Sequence, residues 1–178
     1  MTQPKLLGIS GSLRAASLNT KLMHHAAALF GEANFTRGNL DLPLYNGDNE
    51  DAAGIPAAVE ELASQIAAAD AVIIATPEYN KGPSGVLKNA LDWVSRVKGS
   101  PWKGKPVAIM SAAAGRAGGE RAQVILRSYL TPFNPRLLLG PEIAVAGAAK
   151  EFDENGRLTG ELYVKNLTTL MQALRAEI

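Results

Sequence analysis

Hydroxyl, amide and guanidinium side chains are concentrated in one short stretch near the start of the chain, residues 10–19, which runs SGSLRAASLN. The stretch separates an apolar run at residues 6–9 from a segment whose apolar residues recur at helical spacing. A loop that leads into a helix offers unpaired backbone N–H groups and the positive end of the helix dipole, both of which attract anions. Arg14 adds a guanidinium that can hold two phosphate oxygens at once, and Gly11 permits a tight turn. The stretch, called here the serine loop, therefore predicts a phosphate-binding site.

The polar residues of the serine loop also have a purely structural interpretation. Ser17 could serve only as the N-cap of the following helix, and Arg14 could be a solvated surface residue. For either residue alone both interpretations stay open. The whole set of donors at a strand-to-helix junction favours the anion site.

A second polar turn, residues 77–82 or the proline loop, follows the apolar run at residues 71–75. Pro77 fixes its own φ and biases Thr76 toward an extended conformation, so the turn begins rigidly. Backbone N–H groups after Pro77 could face a ligand on which negative charge develops. Because ligands of open α/β sheets bind at the carboxyl ends of the strands, we expect the two loops to border one site.

Both loops need strands and helices that bring them to the same edge of a sheet. Apolar runs alternate with segments of helical periodicity along the chain, and Pro56 suits the first position of a helix. This alternation predicts a parallel sheet with helices on both faces, joined by right-handed crossovers. Strands are predicted at residues 6–9, 71–76 and 107–111, with a weaker candidate at 35–40 and two late candidates at 137–139 and 143–145. Helices are predicted at residues 18–30, from 56 onward, 84–97, 120–130 and 161–176, with a loop at 41–48.

The fold class follows from this pattern and from the length of the chain. Five strands within 178 residues fit the flavodoxin-like order better than the larger dinucleotide-binding fold. The G-x-G-x-x-G dinucleotide motif is also incomplete, because residues 8–13 lack its third glycine. We therefore predict an α/β fold, with residues 1–178 as a single flavodoxin-like domain around a doubly wound, five-stranded parallel sheet.

Composition and charge narrow the functional classes. The chain carries 18 basic and 17 acidic residues, a net charge of +1, which gives no reason to expect a nucleic acid or a membrane as partner. Because there is no cysteine, disulfides, thiolate catalysis and thiolate metal ligands are excluded. The first residues lack the apolar core of a signal peptide, and no run approaches the roughly 18 apolar residues of a membrane span. We expect a cytoplasmic protein without a metal site, in which His24 and His25 are packing and surface residues.

Two sequence motifs, one in each of the two polar loops, resemble those of the NADPH-dependent FMN reductase family. The first is Gly11-Ser12-Leu13-Arg14 followed by Ser17 and Asn19, and the second is PEYN at residues 77–80 followed by LKNALDW at residues 87–93. The resemblance extends over about residues 5–145 and is greatest to the bacterial chromate and quinone reductase branch. It implies that the chain binds FMN and uses NADPH or NADH as electron donor.

The resemblance also implies which residues would contact FMN. The phosphate would be held by the side chains of Ser10, Ser12, Arg14, Ser17 and Asn19 and by the backbone amides of Leu13 and Leu18. The isoalloxazine ring would be lined on one side by Pro77, Glu78, Tyr79 and Asn80, largely through backbone groups, and on the other by Ser111, Ala112 and Ala113.

The chain departs from the family pattern at two positions. Ala112 stands where many members carry a hydroxyl residue, so we expect one side-chain hydrogen bond to the ring to be absent. Pro83 comes one place before Ser84, the position at which members often have proline. This second departure leaves the shape of residues 81–85 open.

In the reaction that the resemblance implies, a nicotinamide delivers hydride to FMN, and two electrons then pass to a quinone, chromate, azo or flavin acceptor. The flavin carries this chemistry, so no catalytic side chain is assigned. Tyr79 could pack beside the ring or the acceptor, or be a surface aromatic. Gly115 and Arg116 could shape the substrate entrance, with Arg116 either meeting a nicotinamide phosphate or remaining solvated. Glu78 could equally be a solvated carboxylate or pair with another subunit.

Two other functions stay open beside the reductase. One is an FMN-binding electron carrier without turnover of its own, although such carriers are usually strongly acidic and this chain is nearly neutral. The other is a ligand-sensing or interaction domain that has lost its cofactor, against which the intact serine loop argues. The resemblance further suggests a homodimer or homotetramer, with apolar helix residues such as Val94, Val97, Ile125 and Leu126 as candidates for its interface.

Overall fold

The computed structural model describes residues 3–178. Met1 and Thr2, which begin the stretch in which we expect no signal peptide, lie outside the described residues. The strands are β1 (Lys5–Ser10), β2 (Asn34–Gly38), β3 (Ala71–Thr76), β4 (Pro106–Ala112), β5 (Arg136–Leu137) and β6 (Ile143–Val145). The helices are α1 (Leu18–Phe30), α2 (Gly47–Ala53), α3 (Ala57–Ala68), α4 (Gly85–Arg96), α5 (Glu120–Leu130) and α6 (Glu161–Arg175).

All strand pairs of the sheet are parallel, and the order is β2-β1-β3-β4-β5. The short β6 also pairs with β4, at the opposite end from β5. The two late strand candidates therefore share the fifth position of the sheet instead of occupying two. Leu139, predicted within a strand, is 89% exposed because the chain leaves the sheet between β5 and β6. The flavodoxin-like fold class is confirmed.

Each face of the sheet carries its own apolar core. Alternate residues of β3, such as Ile73 and Ile74, point to opposite faces, and every residue of that strand is buried. Helices α1 and α6 cover one face, while α3, α4 and α5 cover the other. This arrangement explains why the central strands are almost continuously apolar. Among residues 3–178, no helix is long and apolar enough to cross a membrane.

The segment between β2 and α3 differs from the prediction. The sequence predicts a loop at residues 41–48, but Gly47 and Asp48 begin α2, and the side chain of Asn46 accepts a 2.9 Å hydrogen bond from the Asp48 N–H as N-cap. Pro56 is the N-cap residue of α3 rather than its first helical residue.

Two side chains of the LKNALDW motif hold this segment on α4. Asn89 donates to the Pro43 carbonyl at 3.0 Å and accepts from the Tyr45 N–H at 2.9 Å. The buried Trp93 ring donates its N–H to the same Pro43 carbonyl at 2.7 Å and meets the Tyr45 ring edge-on. In this chain Asn89 and Trp93 thus stabilise the connection that leads from β2 toward α3.

Candidate active site

The serine loop and the proline loop meet because their strands are neighbours. In the parallel register Ser10 lies beside Ala75, and the Gly11 N–H donates to the Ala75 carbonyl at 2.8 Å. A Cβ on Gly11 would lie 2.9 Å from Ser84 Oγ and 3.0 Å from Thr76 Oγ1, closer than packed atoms normally approach. A larger residue at position 11 would displace these two hydroxyl groups, so glycine suits the close approach of the serine loop to the start of the proline loop.

A third loop, residues 113–119 or the glycine loop, follows β4 and completes the site. Thr76 pairs with Ser111 in the register of β3 and β4, so the glycine loop leaves the sheet at the same edge as the other two. The three loops enclose a crevice of about 490 Å³. Its lining residues are Ser12, Arg14, Ala16, Ser17, Leu18, Asn19, Pro77, Glu78, Tyr79, Ala112, Ala113, Ala114 and Ala149.

A larger depression, of about 620 Å³, lies near the opposite edge of the sheet. Three of its four basic side chains, those of Lys105, Arg136 and Arg175, already have protein partners. Lys105 donates to the carbonyls at residues 67 and 69, and Arg136 pairs with Glu177 at 3.1 Å. This depression lies where β3, β4 and β5 begin, whereas ligands of open α/β sheets bind where the strands end. We therefore place the candidate active site in the smaller crevice.

The serine loop presents a group of unpaired backbone donors. Within residues 3–178 no acceptor is found for the N–H groups of Ser12, Leu13, Ala15, Ala16, Leu18 and Asn19. They cluster at the N-terminus of α1, where the helix dipole adds partial positive charge. The exposed guanidinium of Arg14 lines the same crevice and has no ion-pair partner in the described part of the chain. This donor set suits a bound phosphate group.

Ser17 combines its two proposed roles. Its side-chain oxygen accepts a 3.2 Å hydrogen bond from the Thr20 N–H, as the N-cap of α1. Its own hydroxyl proton is not used in that bond and can be donated into the crevice. The structural interpretation is therefore right for Ser17 without excluding ligand contact. Arg14 is exposed, which is equally compatible with both of its interpretations.

The side chains of two other predicted phosphate ligands are already hydrogen-bonded inside the protein. The buried Ser10 hydroxyl lies 2.8 Å from the Thr20 hydroxyl and is outside the crevice lining. Asn19 donates to the Ala112 carbonyl and accepts from the Ala112 N–H, both at 2.9 Å. The amide of Asn19 thus ties the start of α1 to the end of β4. One amide hydrogen of Asn19 remains free for a ligand.

The proline loop is a tight turn with a rigid backbone. Tyr79 and Gly82 exchange backbone hydrogen bonds of 2.9 and 3.0 Å, and Asn80 and Lys81 between them have φ of 49° and 70°. Residues other than glycine rarely adopt these left-handed backbone conformations, and those that do are concentrated at functional sites. Because the Tyr79 N–H is used within the turn, the unpaired N–H groups of the loop in the described chain include those of Glu78 and Asn80.

The glycine loop is held by buried hydrogen bonds that the sequence did not reveal. Ser111 donates its hydroxyl to the Gly118 carbonyl at 2.8 Å, and Gln123 donates to Ser111 Oγ at 2.8 Å. Gly118 has φ of 62°, and a Cβ there would collide with the Ala144 carbonyl. The Ala113 N–H is paired with the Val145 carbonyl at 3.1 Å. This wall is therefore shaped by β6 and α5 as well as by β4.

The structure brings most of the predicted site residues together. Of the predicted residues, Ser10, Leu13, Asn80, Ser111, Gly115 and Arg116 lie outside the lining of the crevice. Ser111 is fully buried, whereas Leu13 and Arg116 are exposed. Sequence reasoning missed Ala16, Ala114 and Ala149. Their small side chains carry no chemical signal, and Ala149 arrives from the segment after β6.

The two histidines lie apart from the crevice. They line a separate depression together with Lys21 and Arg157. The pKa of His24 is lowered by burial and by Arg37, and the pKa of His25 is lowered by burial and Arg157 against the opposing effect of Asp153. Residues 3–178 contain no group of three or more histidine or acidic side chains that could hold a metal ion.

Comparison with known proteins gives consistent matches. Residues 4–150 match the model of the family described as NADPH-dependent FMN reductase. An NAD(P)H-dependent FMN reductase of Pseudomonas aeruginosa is 44% identical over 173 residues, which cover 96% of this chain and 93% of that protein. A quinone reductase of Escherichia coli K12 is 40% identical over 141 residues, covering 78% of this chain and 75% of that protein.

A solved structure gives the same result at the level of the fold. The flavoenzyme FerB of Paracoccus denitrificans, an NAD(P)H:(acceptor) oxidoreductase, matches with a TM-score of 0.86 at 35% identity. The match covers 97% of this chain and 96% of that protein.

Proposed function

The chain belongs to the NADPH-dependent FMN reductase family, and on that premise we propose that it is an FMN-dependent oxidoreductase that uses NADH or NADPH to reduce a small acceptor such as a quinone. The observation that carries the proposal is the crevice itself. It is lined by Arg14 and other residues of the serine loop, whose N–H donors have no acceptor within residues 3–178, and by the rigid proline loop. An elongated ligand with an anionic end and a planar polar head suits this arrangement.

We assign the phosphate of FMN to the serine loop. The backbone N–H groups at the N-terminus of α1 would bind it together with the hydroxyls of Ser12 and Ser17 and the guanidinium of Arg14. Ser10 would support this end indirectly through Thr20, since their hydroxyls are hydrogen-bonded to each other. Asn19 would mainly hold the loop against β4.

We assign the ring of FMN to the space between the proline loop and the glycine loop. The chemistry that bound FMN supplies is acceptance of hydride from nicotinamide and transfer of two electrons to an acceptor. Glu78 lines this space on one side and has an N–H with no acceptor within residues 3–178, and Ala112 and Ala113 border the other side. Asn80, which lies outside the lining, carries a second such N–H in the same turn. Donors fixed in advance favour a state in which negative charge develops, because no reorganisation is needed at that moment.

The nicotinamide donor would enter past the exposed glycine loop. Gly115 and Arg116 lie at its tip, and we propose that Arg116 attracts a phosphate of the donor from solvent. Quinone reduction is the activity named for several relatives, and chromate, azo compounds and free flavin are further candidate acceptors.

We further propose that the chain assembles as a homodimer or homotetramer. The candidates Val94 and Leu126 are wrong for this role, because both are fully buried in the core of one chain. Val124, which is 61% exposed, and Leu139 are apolar surface residues instead. Light scattering that gives the mass of a monomer would refute the assembly without affecting the site.

The test of the proposed function is spectroscopic. Purified protein is titrated with FMN, then reduced with NADPH or NADH under anaerobic conditions, and finally mixed with a quinone. We expect the flavin absorption of bound FMN to bleach on reduction and to return with quinone, and steady oxidation of the donor when quinone is in excess. Bound FMN without turnover would indicate an electron carrier, and failure to bind FMN would overturn the proposal.

A further inference from the structure

Glu78 lies between two fixed parts of the proline loop. On one side, Pro77 has a restricted φ and its carbonyl accepts a 3.0 Å hydrogen bond from the Thr76 hydroxyl. On the other side, the paired backbone groups of Tyr79 and Gly82 close the turn. The orientation of the turn relative to the crevice that it lines therefore depends on the backbone of Glu78.

The carboxylate of Glu78 reaches from this position to α5. Its Oε2 accepts a 3.2 Å hydrogen bond from the N–H of Ala122, in the first turn of that helix. The N-cap of α5 is Gly119, which has no side chain with which to satisfy this donor. A Cβ placed on Gly119 would lie 3.7 Å from Glu78 Cβ, so the start of α5 faces the base of the Glu78 side chain. The negative charge also interacts favourably with the helix dipole.

The same turn of α5 is attached to the opposite wall of the crevice. Gln123 is fully buried and donates to Ser111 Oγ and to the Ile143 carbonyl, both at 2.8 Å. Ser111 in turn holds the Gly118 carbonyl of the glycine loop. Adjacent residues of one helix therefore connect the proline loop with the glycine loop.

We propose that Glu78 is a positioning residue, which anchors the proline loop to α5 and so directs its own unpaired N–H toward bound FMN. Of the interpretations open for Glu78, this one replaces both the free solvated carboxylate and the pair with another subunit. Glu78 acts through the position of the backbone and transfers no proton. The inference rests on the proposed function, because it concerns FMN in the crevice.

Three substitutions separate the reach of the side chain from its charge. Glu78→Gln keeps an acceptor oxygen at the same distance and removes the charge. Glu78→Asp keeps the charge but is one methylene shorter, and Glu78→Ala removes both. The matched control is Glu120→Ala, because Glu120 is an exposed acid in the same first turn of α5. Its side chain makes no hydrogen bond or ion pair within residues 3–178, and the bond from its backbone N–H to the Ala117 carbonyl does not depend on the side chain.

Three measurements report on the anchor without relying on turnover. In protein without FMN, we expect the Ala122 amide to exchange with solvent about tenfold faster in the Ala and Asp variants, the effect of losing one hydrogen bond. The FMN dissociation constant should rise about tenfold in the same two variants and stay within about twofold in Glu78→Gln and Glu120→Ala. The midpoint potential of bound FMN should be lower in Glu78→Ala than in Glu78→Gln, since only the first displaces the N–H donor.

Equal behaviour of the Gln and Ala variants would overturn the inference, because the charge and not the anchor would then matter. FMN affinity in Glu78→Ala equal to that of Glu120→Ala would overturn it as well. If Glu78→Ala does not fold, Glu78→Asp is compared with Glu78→Gln instead. Equal FMN affinity and equal amide exchange in these two variants would overturn the inference, because only the Gln side chain keeps the reach of Glu78. If the unchanged protein binds no FMN, the proposed function fails, whereas amide exchange at Ala122 still tests the anchor itself.

Discussion

The side-chain amide of Asn19 and the backbone of Ala112 form a reciprocal pair of hydrogen bonds. Asn19 Nδ2 donates to the Ala112 carbonyl, and the Ala112 N–H donates to Asn19 Oδ1, both at 2.9 Å. The two residues are 93 positions apart, and both are buried. The pair joins the start of the helix that would face the phosphate of FMN to the end of the strand that would border its ring.

We expect Asn19→Ala to lower the free energy of unfolding by at least about 2 kcal/mol, because it leaves a donor and an acceptor of Ala112 buried and unpaired. Asn19→Asp retains the acceptor for the Ala112 N–H and should lose less. Urea unfolding monitored by circular dichroism measures both changes. Substitution of the exposed Asn155 is the control. A loss below about 0.5 kcal/mol in Asn19→Ala would show that the pair is not important for stability.

Arg14→Ala should weaken FMN binding by about 1.5–3 kcal/mol, the usual contribution of a hydrogen bond to a charged group. This corresponds to an increase of about 10- to 150-fold in the dissociation constant. Stability should hardly change, because the side chain is exposed. Quenching of flavin fluorescence measures the affinity, with the exposed Arg157 replaced by alanine as control. Unchanged affinity would remove Arg14 from the site.

Tyr79→Ala should affect the acceptor more than the flavin. The ring of Tyr79 lines the crevice and is 52% exposed, so it is available to an incoming acceptor. Loss of an aromatic contact worth about 0.5–1.5 kcal/mol predicts a rise of about 2- to 12-fold in the KM for quinone. Tyr79→Phe keeps the ring and should behave like the unchanged protein. The role is wrong if Tyr79→Ala loses flavin but turns over normally per bound flavin.

The stability of the fold should decline as pH falls through the range in which free histidine becomes charged. His25 Nδ1 accepts a 2.9 Å hydrogen bond from the Leu158 N–H, which requires an unprotonated nitrogen. The pKa of His25 in the folded chain is lowered from 6.5 by burial and Arg157. As pH falls, His25 is therefore protonated in the unfolded chain before it is protonated in the folded chain. The contribution of neutral His25 to the free energy of unfolding is complete at pH well above 6.5 and is lost as pH decreases below that value.

Thermal unfolding between pH 8 and pH 5, about the range in which histidine titrates, tests this linkage. The melting temperature of His25→Gln should fall less steeply than that of the unchanged protein. His24→Gln should show a smaller difference, because His24 is more exposed than His25 and its ring makes no hydrogen bond within residues 3–178, although it meets the Phe35 ring edge-on. Parallel curves for the unchanged protein and His25→Gln would contradict the prediction.

The strands and the loops that follow them could be predicted because they depend on local sequence. A parallel strand covered on both faces must be apolar throughout, so residues 71–76 are recognisable without knowledge of their neighbours. The same holds for the start of α1, where Ser17 precedes the apolar periodicity and forms the N-cap. By contrast, α2 is a short helix without buried residues, and it has no apolar periodicity that could have revealed it.

The roles of individual polar groups could not be obtained in this way. Ser17 and Asn19 look alike as phosphate ligands, yet Asn19 is bonded to the backbone of Ala112. Glu78 looks like a free acid, yet it caps a helix that begins more than 40 positions later. Ala149 has no chemical signal at all and enters the crevice because β6 pairs with β4.

The sequence by itself determined the strands, the helices other than α2, the α/β class and the two loops that carry donors, because burial and turn formation act over a few neighbouring residues. The tertiary structure decided which of those donors remain unpaired. Hydrogen-bond partners such as Asn19 and Ala112 come from distant parts of the chain, and they become neighbours only when β1, β3 and β4 lie side by side. A polar atom that finds such a partner stabilises the fold, and one that finds none is left to bind a ligand.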